Sequence, residues 1–191
     1  MTADGVPRGT RLGLDLGTVR IGVAASDPDG IIATPVETVP RDASDAGADV
    51  RRVADLVAER GAVVVYVGLP RHLSGAEGSS ARDVRTYCGI LARAIAPVAV
   101  RLVDERMSTV TAHQALYASG RSGRRHRQVV DQAAAVVILQ TAMDAERTTG
   151  ARCGELVDRA PARGRSVDRI AVDGRVGRGR RRVSAQREAG L

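Results

Sequence analysis

A chain of 191 residues with 43% hydrophobic side chains can bury the core of one ordinary domain, yet it has no Phe, Trp or Lys, so that core must be built of Val, Leu, Ile and Ala. The formal charge of +7 is uneven, because residues 148–191 hold 11 Arg against 5 acids while residues 1–147 hold 18 against 17, so the excess says little about the body of the protein. No apolar run is long enough to cross a membrane, the N-terminus lacks a signal-peptide pattern, and two cysteines, Cys88 and Cys153, make neither a disulfide framework nor a zinc site, so a reduced cytoplasmic compartment is expected.

Residues 1–9, with Gly5, Pro7 and Gly9, read as a flexible lead-in. A strand is predicted over 10–16, where Leu12, Leu14 and Leu16 alternate on one face and Gly13 and Asp15 on the other. Residues 19–26 alternate again, and Asp27-Pro28-Asp29-Gly30 is a turn. A third strand over 31–39 is interrupted by Pro35, which implies an edge or a bulge. Three short strands joined by tight turns predict an antiparallel meander. Val50, Val53, Leu56 and Val57 then recur at helical spacing, and Gly61 ends that helix. Val63 to Val67 is a continuous apolar run, the mark of a strand buried on both faces. A Gly- and Ser-rich loop spans 68–79, and Ser80 with Asp83 resembles a capping box. The helix after it carries the stripe Val84, Tyr87, Cys88, Leu91 and Ile95 and stops at Pro97. A second buried strand follows over 98–103. A helix is expected from Ser108 to Ser119, a basic loop over 121–127 and a last helix over 128–147. From residue 148 periodicity is lost, and a disordered Arg/Gly-rich tail is expected. The body is thus a mixed sheet with helices on its faces.

Acids stand at three element ends: Asp15, the pair Asp104-Glu105, and Asp131. Asp15 lies on an apolar strand before Gly17, which permits a tight turn and close approach of a ligand; a turn aspartate bonding its own backbone fits the same stretch. Asp104-Glu105 ends a buried strand at its C-terminal edge, where open α/β sheets bind ligands. Adjacent strand residues face opposite sides, so only one of the two is expected to point at Asp15. Asp131 starts a helix, where an acid also complements the dipole. Its face continues through Ala134, Ala135 and Ile138, small enough to let that helix lie close on the sheet. Carboxylates converging at one sheet edge repel unless cations neutralise them. Hard Mg²⁺ or Mn²⁺ ions suit such oxygen donors, and paired ions about 4 Å apart serve phosphodiester hydrolysis. His72, His113 and His126 have no metal-ligand spacing, and no Ser-His-Asp or Cys-His set is present.

Four segments in order bear a family resemblance: Leu14-Asp15-Leu16-Gly17-Thr18 with Arg20-Ile21-Gly22-Val23-Ala24; Val67-Gly68-Leu69-Pro70 with Gly75 and Glu77-Gly78; Asp104-Glu105-Arg106 with Ser108-Thr109; and Val130-Asp131-Gln132-Ala133-Ala134-Ala135 with Ile138-Leu139. Through them residues 10–147 resemble the RuvX/YqgF family of RNase H-like nucleases, described as Holliday junction resolvase-like and as pre-16S rRNA nucleases. The resemblance implies an RNase H-like α/β fold, a mixed five-stranded sheet with helices on both faces, and metal-dependent endonuclease activity on branched DNA or structured pre-rRNA. It implies catalytic, metal-holding roles for Asp15, Glu105 and Asp131, with Asp104 as substitute or helper. Val19, at a position often basic in this family, and the basic stretch Arg71-His72 depart from the pattern and bear on substrate contacts.

For a nuclease, phosphate contacts are expected from Arg20, Arg71, Arg106, Arg121, Arg124, Arg125 and Arg127, since the guanidinium fork suits phosphate oxygens. Scarce aromatics argue against base stacking and for recognition of backbone and shape. A two-fold homodimer would match the symmetry of a four-way junction. Two other functions compete. Asp-Leu-Gly-Thr also resembles the phosphate loop of actin-like ATPases, which pair two such domains where this chain has material for one. A nucleic-acid-binding domain of the same fold without catalysis would bind but not cut.

Overall fold

The alternating and continuous apolar runs assemble into one mixed sheet. The computed structural model describes residues 6–42, 44, 47–71, 78–105 and 124–159, with the backbone alone over 124–130. Among these residues the strands are β1 (Arg11–Leu16), β2 (Arg20–Ser26), β3 (Ala33–Pro40), β4 (Val64–Leu69), β5 (Ala99–Asp104) and β6 (Glu155–Leu156). The helices are α1 (Ala48–Glu59), α2 (Ser79–Ala94) and α3 (Arg124–Thr149). The sheet order is β3-β2-β1-β4-β5-β6. The meander β1-β2-β3 is antiparallel, β4 and β5 run parallel to β1, and β6 is antiparallel to β5. This is the RNase H-like arrangement, with one short strand beyond the five expected. β3 is an edge strand, and its pairing with β2 slips between Val23 and Ala24, where Pro35 interrupts the run.

The two sheet faces carry different residues. Leu12, Leu14, Ile21, Val23, Val65 and Val67 form one core with Val53 and Leu56 of α1 and Cys88 and Leu91 of α2. Burying each large aliphatic side chain contributes about 1.5–3 kcal/mol, which is how a core without Phe or Trp is made. On the other face Ala24, Tyr66 and Val103 pack on Ala135, Leu139 and Met143 of α3. Glycines bring that helix unusually near. A Cβ on Gly13 would stand 2.6 Å from Leu139 Cβ, and one on Gly22 would stand 2.0 Å from the carbonyl oxygen of Asp131. The small face of Ala134, Ala135 and Ile138 is buried against the sheet, as its composition predicts.

Several boundaries differ from the sequence expectation. α1 ends as expected: Gly61 (φ 56°) takes the left-handed conformation, and Ala62 N–H donates back to Val57. The expected capping box at Ser80 does not form. α2 starts two residues earlier, with Gly78 as its cap and no side-chain cap bond. The last helix starts at Arg124, so the expected basic loop is helical over 124–127, and Asp131 lies two turns in rather than in the first turn. The helix expected over 108–119 lies outside the described residues, as do Arg106 and Arg121.

The two ends of the fold extend beyond the expected 10–147. Val6 is buried, Gly9 N–H donates to Pro28 O (2.9 Å), and Arg152 donates to Pro7 O (2.9 Å). After Gly150, residues 151–159 run back along the sheet edge instead of leaving it. Arg101 of β5 donates to the carbonyl of Cys153 (2.6 Å) and to those of Arg152 and Gly154, Val157 N–H donates to Val100 O, and Arg159 donates to Pro97 O. One arginine side chain thus organises a segment that has no periodicity to announce it.

Candidate active site

Asp15 is the next-to-last residue of β1 and pairs in register with Gly22 of β2. Directly paired residues share a face of the sheet, so Asp15, Gly13 and Gly22 lie on the α3 side. The lack of a side chain at Gly22 lets the Asp131 backbone rest on the strand beside Asp15. Gln132 Nε2, the next residue, donates to Thr38 Oγ1 of β3 (3.2 Å) and ties this turn of the helix to the sheet. Glu105 follows β5 directly, and Gly68 of β4 makes room for it: a Cβ there would stand 2.6 Å from Glu105 Oε1. Glu105 and Asp131, from separate parts of the chain, thereby come within electrostatic reach of Asp15 at the C-terminal edge of β1, β4 and β5.

Their electrostatics follow from this crowding. The Asp15 carboxyl is pushed up to about 7, first by burial and then by the charges of Glu105 and Asp131. Glu105 is also raised, by burial and then by Asp104. Asp131 faces Arg20, the first residue of β2, with Nε 3.0 Å from Oδ2. The N–H is not aligned on that oxygen, and Oδ2 is buried without a hydrogen-bond partner. Asp104 turns elsewhere: its Oδ2 lies 3.8 Å from Arg71 Nη1. Arg71 also approaches Glu155 (4.0 Å), which Arg85 grips with both Nη atoms (2.6 and 2.8 Å). The side chains of Arg124, Arg125 and Arg127 are outside the described residues.

The donor chemistry fits a hard divalent cation. All three groups are carboxylates, one is pushed up to about 7 by burial and its neighbours' charges, and one presents a buried oxygen without a hydrogen-bond partner. Among the described residues no three Asp, Glu, His or Cys side chains stand as a ready-made ligand set, and Asp131 sits on Arg20 instead.

Sequence reasoning missed Arg41. Its backbone N–H donates to Val19 O (2.9 Å) and its Nη1 to Gly17 O (3.2 Å), so it braces the turn that follows Asp15. The guanidinium is itself fixed by buried Asp49 (3.2 Å) and by the Tyr87 ring, whose centroid is 4.8 Å away. Nothing in the local sequence links Arg41 to residue 17; only the pairing of β2 with β3 brings them together.

A family model described as "RuvX: Holliday junction resolvase" matches residues 9–145. A protein of Streptomyces coelicolor named "Putative pre-16S rRNA nuclease" is 56% identical over 158 residues, 82% of this chain and 93% of its own length. One of the same name from Nocardioides sp. is 56% identical over 152 residues, 78% of this chain and 97% of its own. Among solved structures, Thermus thermophilus RuvC in complex with Holliday junction substrate is similar over 78% of this chain and 99% of its own, with a TM-score of 0.49 and 16% identity.

Proposed function

This chain belongs to the RuvX Holliday junction resolvase family, and we propose that it is a divalent-metal-dependent endonuclease acting on structured nucleic acid. Family membership makes it a nuclease, a hydrolase of phosphodiester bonds. The observation that carries the finer reading is the meeting of Asp15, Glu105 and Asp131 at one sheet edge, with Asp15 pushed up to about 7 by burial and by the other two. Such crowding disfavours the ionised state of the protein alone and favours it beside a cation.

In this reading Asp15, Glu105 and Asp131 hold Mg²⁺ or Mn²⁺, which when bound acidifies a water and neutralises charge developing on the phosphate. The chain's own residues do the rest. Asp15 gives up its proton near neutral pH to become a donor. Gly22 and Gly68 keep the space that lets Asp131 and Glu105 approach it. Arg41 holds the Gly17 carbonyl and with it the turn beside Asp15. Arg20 and Arg71, with Arg106, Arg121, Arg124, Arg125 and Arg127, take the phosphate backbone. Asp104 steadies Arg71. A four-way junction would further call for a two-fold homodimer, because two symmetric cuts need two sites.

The family description points to a junction and the relatives' name to pre-16S rRNA. Purified protein is therefore offered a synthetic four-way DNA junction, a matched duplex and a pre-16S rRNA 5′ fragment, each in Mg²⁺, Mn²⁺ or EDTA. Internal cuts in the junction or the rRNA fragment, dependent on metal, are expected. Binding without cutting under every condition leaves a nucleic-acid-binding domain and overturns the nuclease reading. Cutting in EDTA overturns the metal.

A further inference from the structure

We infer that Arg20 holds the place of a cation on Asp131 and yields that carboxylate when metal enters, so that its guanidinium is released toward the phosphate only at a metal-loaded site. The inference rests on the reading that Asp15, Glu105 and Asp131 hold the metal, and adds a competing occupant to that site.

Three observations carry it. First, the two charges are in contact, Nε to Oδ2 at 3.0 Å, yet no hydrogen bond joins them and Oδ2 remains a buried acceptor with no partner. The pair is held by charge alone, without the directional N–H···O bond that makes guanidinium–carboxylate pairs strong. Second, both side chains are about a quarter exposed, 25% for Arg20 and 27% for Asp131, so Arg20 has solvent to move into. Third, the backbone that carries the carboxylate is fixed. It rests on Gly22, and the adjacent Gln132 is bonded to Thr38. A change at this contact is therefore one of side chains, and Arg20 has the longer and more flexible of the two.

The buried pair at the other end of the same helix shows what a permanent arginine–carboxylate contact looks like here. Arg11 and Glu146 are 2% and 3% exposed, and Arg11 Nε donates to Glu146 Oε2 at 3.1 Å. Arg20 has neither that enclosure nor that bond. A divalent cation on the Asp131 carboxylate would repel a guanidinium in contact with the same oxygen, and the displaced fork would lie at the rim of the site, where a phosphate oxygen is its natural acceptor. Linkage then requires that metal and phosphate favour each other's binding.

The test is a Mn²⁺ titration of the full chain, without nucleic acid, followed by calorimetry and by the electron paramagnetic resonance of free Mn²⁺. Arg20→Gln is expected to bind Mn²⁺ about 5-fold or more tightly than wild type, at the low end of ordinary coupling between two sites. In an Asp131→Asn background the same change should lose most of its effect, since the carboxylate contested by arginine and metal is gone. An equal gain in both backgrounds reflects general charge repulsion and overturns the inference, as does unchanged or weaker Mn²⁺ binding by folded Arg20→Gln. Wild-type crystals soaked in Mn²⁺ give a readout that needs no variant: with metal on Asp131, the Arg20 contact should be broken, and its persistence overturns the inference while leaving the metal site intact. Failure of wild type and both variants to bind Mn²⁺ overturns the metal reading itself, and the inference with it.

Discussion

The chain places carboxylates toward both ends of β1, with Glu146 buried at one and Asp15 and Asp131 half-buried at the other, and the two ends treat them in opposite ways. At one end Glu146 is 3% exposed and fully served. Arg11 donates to Oε2, Arg152 donates to Oε1 at 2.6 Å, and the Tyr66 hydroxyl donates to Oε1 as well. Arg11 in turn donates to the carbonyls of Gly9 (2.7 Å) and Pro28 (3.1 Å). At the other end, Asp15 is crowded by two further acids and pushed up to about 7. The same strand supplies Arg11 and Asp15, and the same helix supplies Glu146 and Asp131, roughly 22 Å apart along its axis at 1.5 Å per residue. A satisfied buried charge fixes structure. One that is crowded and unsatisfied costs stability.

The largest effect is expected where the satisfied end is broken. Glu146→Ala leaves the Arg11 guanidinium buried without its anion, which should cost about 3–5 kcal/mol. Urea denaturation should show the midpoint falling with little change in slope. Replacing both partners, Arg11→Met with Glu146→Leu, should be milder because the most buried charge is no longer orphaned, and what remains is the loss of the acceptor for Arg152 and the Tyr66 hydroxyl. A Glu146→Ala variant as stable as wild type would erase the contrast between the two ends.

At the crowded end the same kind of substitution should remove function and add stability. Asp15→Asn is expected to lower cleavage by roughly 10²-fold or more, the loss seen when one transition-state electrostatic stabiliser is removed. Asp104→Asn should lose much less, because Asp104 faces Arg71. Stability should move the other way. Folded Asp15 titrates at about 7 against an ordinary 3.8. Between these values the folded state keeps a proton that the unfolded chain has lost, so stability contributed by this group falls as pH rises and stays low above about 7. Melts in EDTA should therefore show Asp15→Asn matching wild type near pH 4 and exceeding it by a few kcal/mol at pH 8, since each tenfold difference in proton affinity between folded and unfolded chain is worth about 1.4 kcal/mol. A constant gap across this range would show that crowding does not set the Asp15 charge.

The smallest effect separates residues 151–159, which run along the sheet edge, from the chain after them. A chain ending at 159 should fold and cut like the full protein. One ending at 147 loses Arg152 from Glu146 and uncovers β5, and should lose about 2–3 kcal/mol, the worth of one or two charge-assisted hydrogen bonds. Equal melting of the two truncations would restore the expected boundary at 147.

Much of the crowded end was legible in the sequence. Asp15 stands out because an acid interrupts an alternating apolar strand before a glycine, and the small face of α3 announces close packing. The choice between Asp104 and Glu105 was not legible. Strand alternation decides it only if the strand's last residue is known, and β5 ends between them, at Asp104. The satisfied end was almost invisible, since Arg11 and Glu146 are 135 positions apart. β6, two residues long, is too short for any period to register.

What the sequence determined by itself is local: which runs pair as strands, which wind as helices, and which carboxylates stand at element ends. Periodicity and turn chemistry act within a few residues, so they can be read without a fold. Tertiary structure alone decided which acid is served and which is crowded. That depends on Arg11 meeting Glu146 and on Gly22 admitting Asp131, contacts across the sheet that no short stretch of chain encodes. Burial then turns these meetings into free energy, because a charge removed from water takes its stability from whichever partner the fold places beside it.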